Sequence, residues 1–183
     1  MNNTNKQEYV SRLKKAYSAL SQATNKIIAD EGNPNPSIGG WAVDTEAVYN
    51  MYKKYLSVAK DCGYNTAGCF DGTYKQMNNT TLKFTNRYTF VLSDGTLVAL
   101  NPNDYNSECA RSGTGSYKVC QLITVDINGA KGPNEVGKDA FTFGLKEIAL
   151  FPAGCDTSVS QCSSSQTGWA CACKVLREGA INY

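Results

Sequence analysis

Apolar residues recur with a helical period near the start of the chain. Spacings of three, four and seven put one apolar set on a single helix face: Val10, Leu13, Tyr17, Leu20 and Ile27. The segment 5–31 contains no Gly or Pro, and Gly32-Asn33-Pro34 then ends the pattern. The predicted helix is about 27 residues, roughly 40 Å long, whereas helices of globular domains average about 11–12 residues. It is long for a domain of this size, and the alternative is an ordinary core helix with a frayed start.

A second helical pattern follows the loop at 32–40. Asp44 or Thr45 caps its start, and the helix is predicted to run to about Lys60. Its apolar side consists of Ala47, Val48, Met51, Tyr52, Tyr55, Leu56 and Ala59. Cys62 and Cys69 lie just beyond this helix, seven residues apart, which indicates a small disulfide-closed loop.

The middle of the chain has the alternation and the turn residues of β-strands. Ser93-Asp94-Gly95 joins the first two strands as a hairpin turn. Strands that follow one another through hairpins form an antiparallel meander. A loop-rich stretch at 152–167 and a short helix at 168–177 complete the chain. The predicted strands are 88–92, 96–100, 117–126 and 140–143, with a short fifth strand at 148–151.

Length and composition describe one globular domain, of which 42% of the residues are hydrophobic. The net charge is +2, from 18 basic and 16 acidic residues, so there is no overall electrostatic bias toward nucleic acid or membrane. We therefore predict no nucleic-acid partner. Basic residues do concentrate at Lys6, Arg12, Lys14 and Lys15, but Glu8 interrupts them, and we interpret this run as a solvated helix face.

Histidine is absent from the sequence. Its absence excludes three kinds of site: Ser-His-Asp triads, Cys-His nucleophile pairs and His-ligated zinc sites. The run Ser163-Ser164-Ser165 has no accompanying base, and no spacing selects a pair of carboxylates for glycoside hydrolysis. We predict that the chain is not an enzyme.

Cysteine is abundant and even in number. Loop-rich surroundings and the lack of a C-x-x-C motif favour disulfides over a thiolate metal site. Cys171 and Cys173 are two residues apart on the last predicted helix, so their side chains point to different sides and each must reach back, toward Cys155 and Cys162. Disulfides need an oxidising compartment, so we expect an extracytoplasmic protein whose export segment has been removed. The eight cysteines are Cys62, Cys69, Cys109, Cys120, Cys155, Cys162, Cys171 and Cys173.

A turn-rich loop with three glycines and a proline lies between the third and fourth predicted strands. It offers four hard oxygen donors of the kind that Ca²⁺ prefers, Asp126, Asn128, Asn134 and Asp139. The spacing differs from the twelve-residue EF-hand loop, because no Glu stands at its twelfth position. Two interpretations stay open: a candidate calcium site, and a self-capped loop with no metal. The predicted cofactor is none, with Ca²⁺ as the alternative.

Three segments together resemble the pilin-like proteins. These are the type IV pilins and type II secretion pseudopilins, which carry a prepilin-type N-terminal cleavage and methylation segment. The segments are YVSRLKKAYS at 9–18, the DxNGxxGPNxxGxD loop at 126–139, and GxxNY at 179–183. The resemblance spans nearly the whole chain, and the loop is its most specific part. The cleavage motif, the methylated first residue and the acidic residue of the family's apolar helix are not among these residues.

The resemblance implies one α+β domain over residues 1–183, with a long N-terminal helix packed on an antiparallel β-sheet meander, a second helix and a cysteine-rich C-terminal region. Residues 5–31 would form the C-terminal half of the long pilin helix. A missing apolar half upstream would anchor the precursor in the inner membrane and later form the filament core. The polar first turns of the helix would then need no partner in this domain. Some pseudopilins bind Ca²⁺ in a loop near this position, which favours the calcium interpretation.

The function that the resemblance implies is a structural subunit, major or minor, of a type IV pilus or a type II secretion pseudopilus-like filament. Its partners would be like or related pilin subunits, and its place the periplasm or the cell surface. The alternative is an extracellular adhesin-like binding module that recognises a surface or a carbohydrate. An exposed cluster of Trp41 with Tyr49 and Tyr52 would favour the binding module, whereas burial of these rings would favour the plain subunit.

Overall fold

The computed structural model describes residues 3–65, 68–70, 72–109, 119–155 and 162–183. Within these ranges the chain forms three α-helices, eight strands and two short 3-10 turns at Pro36–Ile38 and Gly129–Lys131. The helices are α1 (Asn3–Glu31), α2 (Thr45–Tyr55) and α3 (Cys171–Glu178). The strands are β1 (Val58–Tyr64), β2 (Thr73–Lys75), β3 (Thr81–Lys83), β4 (Tyr88–Leu92), β5 (Leu97–Tyr105), β6 (Gln121–Asp126), β7 (Ala140–Leu145) and β8 (Leu150–Pro152).

The main sheet has six strands in the order β1-β4-β5-β6-β7-β8, and every neighbouring pair is antiparallel. From β4 to β8 each strand pairs with the next one in sequence, which confirms the predicted meander. A separate hairpin, β2-β3, has no counterpart in the sequence analysis. The α+β fold, with a long N-terminal helix and an antiparallel sheet, is confirmed.

Two hydrophobic clusters cover the two faces of the sheet. On β5, Val98 and Leu100 belong to the main core, whereas Leu97 and Ala99 belong to a second cluster. Successive strand residues point to opposite faces, so the clusters lie on opposite sides of β5. The main core contains the buried faces of the three helices, and the second contains Tyr74 of the β2-β3 hairpin.

Helix α1 buries the apolar stripe that the sequence predicts. Leu13, Leu20 and Ile27 are fully buried, and Tyr17 stacks on Phe143 of β7 with ring centroids 5.4 Å apart. At 29 residues the helix is roughly 43 Å long. Among residues 5–31 its first buried side chain is Val10; before it, Asn5, Gln7 and Glu8 are exposed, whereas Lys6 and Tyr9 are half-buried.

Helix α2 is shorter than predicted, and the difference is a correction. Its start agrees, because the Asp44 carboxylate accepts a hydrogen bond from the Ala47 amide at 2.6 Å. Its end does not, because Leu56 is extended and β1 begins at Val58. Lys60, predicted as the last helical residue, instead pairs with Val91 of β4. Pairing with a distant strand overrides the local helical period here.

Smaller differences concern element ends. Strand β7 continues to Leu145, two residues beyond its predicted end, and α3 starts at Cys171 rather than at 168. The third predicted strand begins as β6 at Gln121, and its residues 117–118 lie outside the described residues.

All eight cysteines lie in the described residues, and none is free. Cys171 and Cys173 both reach back as predicted, to Cys162 and Cys155 respectively. The predicted small loop closed by Cys62–Cys69 is present, at the end of β1 rather than after a helix, and the fourth disulfide is Cys109–Cys120.

No helix within the described ranges has both the length and the apolar composition that a membrane span requires.

Candidate functional site

The loop between β6 and β7, residues 127–139 and hereafter the junction loop, lies against the first turns of α1. The hydroxyl of Tyr9 donates a hydrogen bond to the Gly132 carbonyl at 3.1 Å. The side-chain amide of Asn128 donates to that carbonyl at 2.7 Å and to the Tyr9 hydroxyl at 3.0 Å. These three bonds hold the first turns of α1 against the junction loop.

Two fully buried carboxylates hold the junction loop in shape. Asp139 accepts hydrogen bonds from the backbone amides of Asn134 at 2.7 Å and Glu135 at 2.6 Å, one on each oxygen. Asp126 accepts the Asn128 amide at 3.1 Å on one oxygen and the Tyr74 hydroxyl at 2.5 Å on the other. Asp139 therefore closes the loop on itself, and Asp126 ties it to the β2-β3 hairpin.

Burial and mutual repulsion disfavour charge on these groups. Burial is the main cause that raises the pKa of Asp126 to about 7, and the nearby Asp139 carboxylate adds to it. Burial likewise raises the pKa of Asp139 and of the Tyr74 hydroxyl. Within the described residues no cation forms an ion pair with either aspartate, so no opposite charge offsets the effect of burial on their pKa.

The C-terminal residues complete the site. The Tyr183 hydroxyl donates to the carbonyl of Gly137 in the junction loop. Gly137 has φ +89°, and a Cβ there would lie 2.9 Å from the Met77 sulfur and 3.1 Å from the Cys171 sulfur. Only glycine meets both conditions without displacing its neighbours. The junction loop thus connects α1, the main sheet, the β2-β3 hairpin and the disulfide-bonded C-terminal region.

The structure places three of the four candidate calcium ligands in the junction loop and the fourth, Asp126, at the end of β6 directly before it, without showing a common point for them. Asp126 and Asp139 already accept hydrogen bonds on all four carboxylate oxygens. The side-chain amide of Asn128 is held at Tyr9, whereas that of Asn134 lies beside Gly72. Their two amide oxygens are buried and lack hydrogen-bond donors. In the part of the chain that the structure describes, no three or more acidic or cysteine side chains come together as a metal site would require.

Comparison with protein families, curated proteins and solved structures finds no match. Function must therefore be argued from the geometry of the chain itself.

We expect stability to be independent of calcium. Because the loop's carboxylates are already hydrogen-bonded to the chain, thermal melting in about 10 mM Ca²⁺ should give the midpoint measured in the same concentration of Mg²⁺. A site with even the weak, roughly millimolar affinity of extracellular modules would raise the midpoint by several degrees at that concentration. Such a rise, specific to Ca²⁺, would show that the junction loop is a cation site.

Asp126 should make the protein less stable as the pH rises from about 5.5 to 8. Its folded-state pKa of about 7 lies above the usual unfolded value, so its contribution is complete at low pH and is lost as the pH rises through about 7. Urea unfolding should show a loss of about 1–2 kcal/mol over this range. Asp126→Asn should remove most of that loss.

Asp94→Asn is the matched control, because hydrogen bonds and Lys15 hold the pKa of Asp94 below its usual value. That carboxyl does not titrate between pH 5.5 and 8, so this variant should keep the wild-type slope. A slope unchanged in Asp126→Asn would rule out Asp126 as its origin.

Proposed function

We propose that this chain is the folded head of a filament subunit, of the pilin or pseudopilin kind, whose α1 continues upstream into an apolar helix. The observation that carries the proposal is the start of α1. Asn5, Gln7 and Glu8 are exposed, and burial begins only at Val10. A helix held at Tyr9 by the junction loop, yet extending beyond the core, has the form of a shaft entering a globular head.

The long helix is itself evidence of an outside partner. Isolated helical turns are marginal in water, and most helical stability in proteins comes from packing of an apolar face. Of residues 5–9, Tyr9 alone packs against the main core, and Asn5, Gln7 and Glu8 are exposed, so the first turns of α1 have little of this packing. A longer helix seated in a membrane or a filament would supply it.

Burial of the aromatic rings supports a plain subunit over a binding module. Tyr49 and Tyr52 are only 3% and 1% exposed. Trp41 is half-buried, and its indole nitrogen donates to the Gly32 carbonyl at 3.0 Å. These three residues therefore do not form an exposed platform on which a sugar ring could stack.

We propose no catalytic role for this fold. The two buried aspartates, whose pKa burial raises, are committed to closing the junction loop and to the Tyr74 hydroxyl. Perturbed carboxylates of this kind serve structure as well as catalysis. The partners we propose are further subunits of the same kind. The location we propose is an oxidising compartment outside the cytoplasm, in which the four disulfides would be stable.

Filament incorporation tests the proposal. Filaments would be sheared from cells that express the full-length gene, and the chain would be detected in them by mass spectrometry. Ser18 lies on the exposed face of α1, where a neighbouring helix would pack, so Ser18→Trp should strongly reduce incorporation. Lys83→Trp, at an exposed site on β3, should incorporate normally. Equal incorporation of both variants, or no chain in any sheared fraction, would refute the proposal.

A further inference from the structure

Three segments from different parts of the chain meet near the first turns of α1, and each of them carries basic residues. The ammonium of Lys6 donates to the Ile181 carbonyl at 2.9 Å, and Tyr9 bonds Gly132, the neighbour of Lys131. The ammonium of Lys14 lies 3.7 Å from the position that a Cβ on Gly179 would take. Arg177 precedes that glycine by two residues. We call Lys6, Lys14, Lys131 and Arg177 the basic collar.

The members of the basic collar lack ion-pair partners among the described residues. Lys14, Lys131 and Arg177 are exposed, and within the described residues no collar member forms an ion pair. The cations beside it differ in this respect. Arg12 pairs with Glu8 at 2.9 Å, and Lys15 pairs with Asp94 at 3.2 Å.

The positive charge of the protein is unevenly distributed, with an excess at the basic collar. The net charge is only +2, so four collar cations leave the rest of the molecule net negative. An anionic surface would therefore attract this end of the protein and repel the remainder. The attraction acts within a Debye length, about 10 Å at 0.1 M salt, which selects one orientation at contact.

We propose that the basic collar docks on a bilayer surface that contains anionic phospholipid, with the start of α1 facing the membrane. This inference rests on the proposed function, because an apolar continuation of α1 would bring this end of the head to the bilayer. The collar would then hold the head upright on the headgroups before assembly. Each Lys or Arg near an anionic leaflet contributes about fivefold to partitioning, so four together give a measurable effect.

Vesicle binding by the soluble chain tests the collar. Vesicles of phosphatidylglycerol mixed with phosphatidylcholine should bind the protein in about 0.1 M salt, and vesicles of phosphatidylcholine alone should not. Raising the salt to about 1 M shortens the Debye length to about 3 Å and should abolish binding. Failure to prefer the anionic vesicles would overturn the proposal.

Matched charge variants distinguish the effect of the collar residues on vesicle binding from the effect of net charge. The triple variant Lys14→Gln, Lys131→Gln, Arg177→Gln should lose binding by on the order of 100-fold. The control Lys26→Gln, Lys60→Gln, Lys83→Gln removes the same charge elsewhere and should bind nearly as well as wild type. Equal losses in the two variants would overturn the proposal, because net charge alone would explain them. Thermal melting of both confirms that they are folded.

The outcome is separable from that of the filament experiment. Filament incorporation with no vesicle binding would reject the collar and keep the subunit. Vesicle binding without filament incorporation would reject the subunit and leave the collar as a lipid-binding surface.

Discussion

Replacing Cys162 and Cys171 together with alanine is expected to lower the free energy of unfolding by about 3–5 kcal/mol. Both residues belong to the main core and are almost fully buried. Their removal frees the unfolded chain and leaves a cavity beside Met77, whose sulfur lies 3.5 Å from that of Cys171. Equilibrium unfolding in urea, without reductant, measures the change.

The Cys62–Cys69 disulfide gives the control for that measurement. It closes a loop of similar length, with a sequence separation of seven against nine, but its cysteines belong to neither hydrophobic cluster. Its replacement by alanines should cost about 2 kcal/mol, mainly through the entropy of the unfolded chain. A larger decrease in the free energy of unfolding there than at Cys162–Cys171 would contradict the claim that core packing adds to the effect of the Cys162–Cys171 disulfide.

Asp139→Ala should destabilise the protein by about 3 kcal/mol. Two partly buried backbone amides, those of Asn134 and Glu135, would lose their acceptor, and each such bond to a carboxylate contributes about 1.5–3 kcal/mol. Asp139→Asn keeps the size but presents an amide N–H to one of these donors, so about 2 kcal/mol should still be lost. Urea unfolding at one fixed pH measures both variants.

Asp30→Ala serves as the control for the loss of an aspartate. Asp30 is exposed near the end of α1, and its removal should change the free energy of unfolding by less than about 0.5 kcal/mol. If Asp139→Ala were equally mild, the junction loop would not depend on Asp139 for its shape.

The parts of the fold that the sequence predicts are those set by local pattern. Leu13, Leu20 and Ile27 repeat with the helical period, and the apolar stripe they form is the one the core buries. The Ser93-Asp94-Gly95 turn predicts the hairpin of β4 and β5, which the structure contains. Short-range spacing was sufficient for both.

The missed elements depend on partners far along the chain. Strand β1 has exposed Lys60 and Asp61, so its sequence lacks strand alternation, and it is held by β4, about 30 residues later. The β2-β3 hairpin has short strands whose side chains pack through Tyr74 into the second cluster. The local spacing of residues predicts neither β1 nor the β2-β3 hairpin.

The candidate site divides in the same way. The sequence identifies the loop at 126–139 and its two aspartates, but as oxygen donors for a metal. It does not single out Tyr74, which lies 52 residues before Asp126 and binds its carboxylate. The basic run at the start of α1 is predicted as a solvated face, and Lys14 and Lys15 are exposed. The sequence does not predict that the segments around Gly132 and Gly179 lie beside this run, because only the fold brings them there.

The central claim is that α1 is the C-terminal part of a longer helix. Reading the native coding sequence immediately upstream of α1 tests this claim most directly. We predict about 20 consecutive, predominantly apolar residues, without a break by Gly and Pro before Asn5, long enough to cross a bilayer. A cleavable secretory signal ending directly before α1 would contradict the subunit proposal and favour a secreted binding module instead.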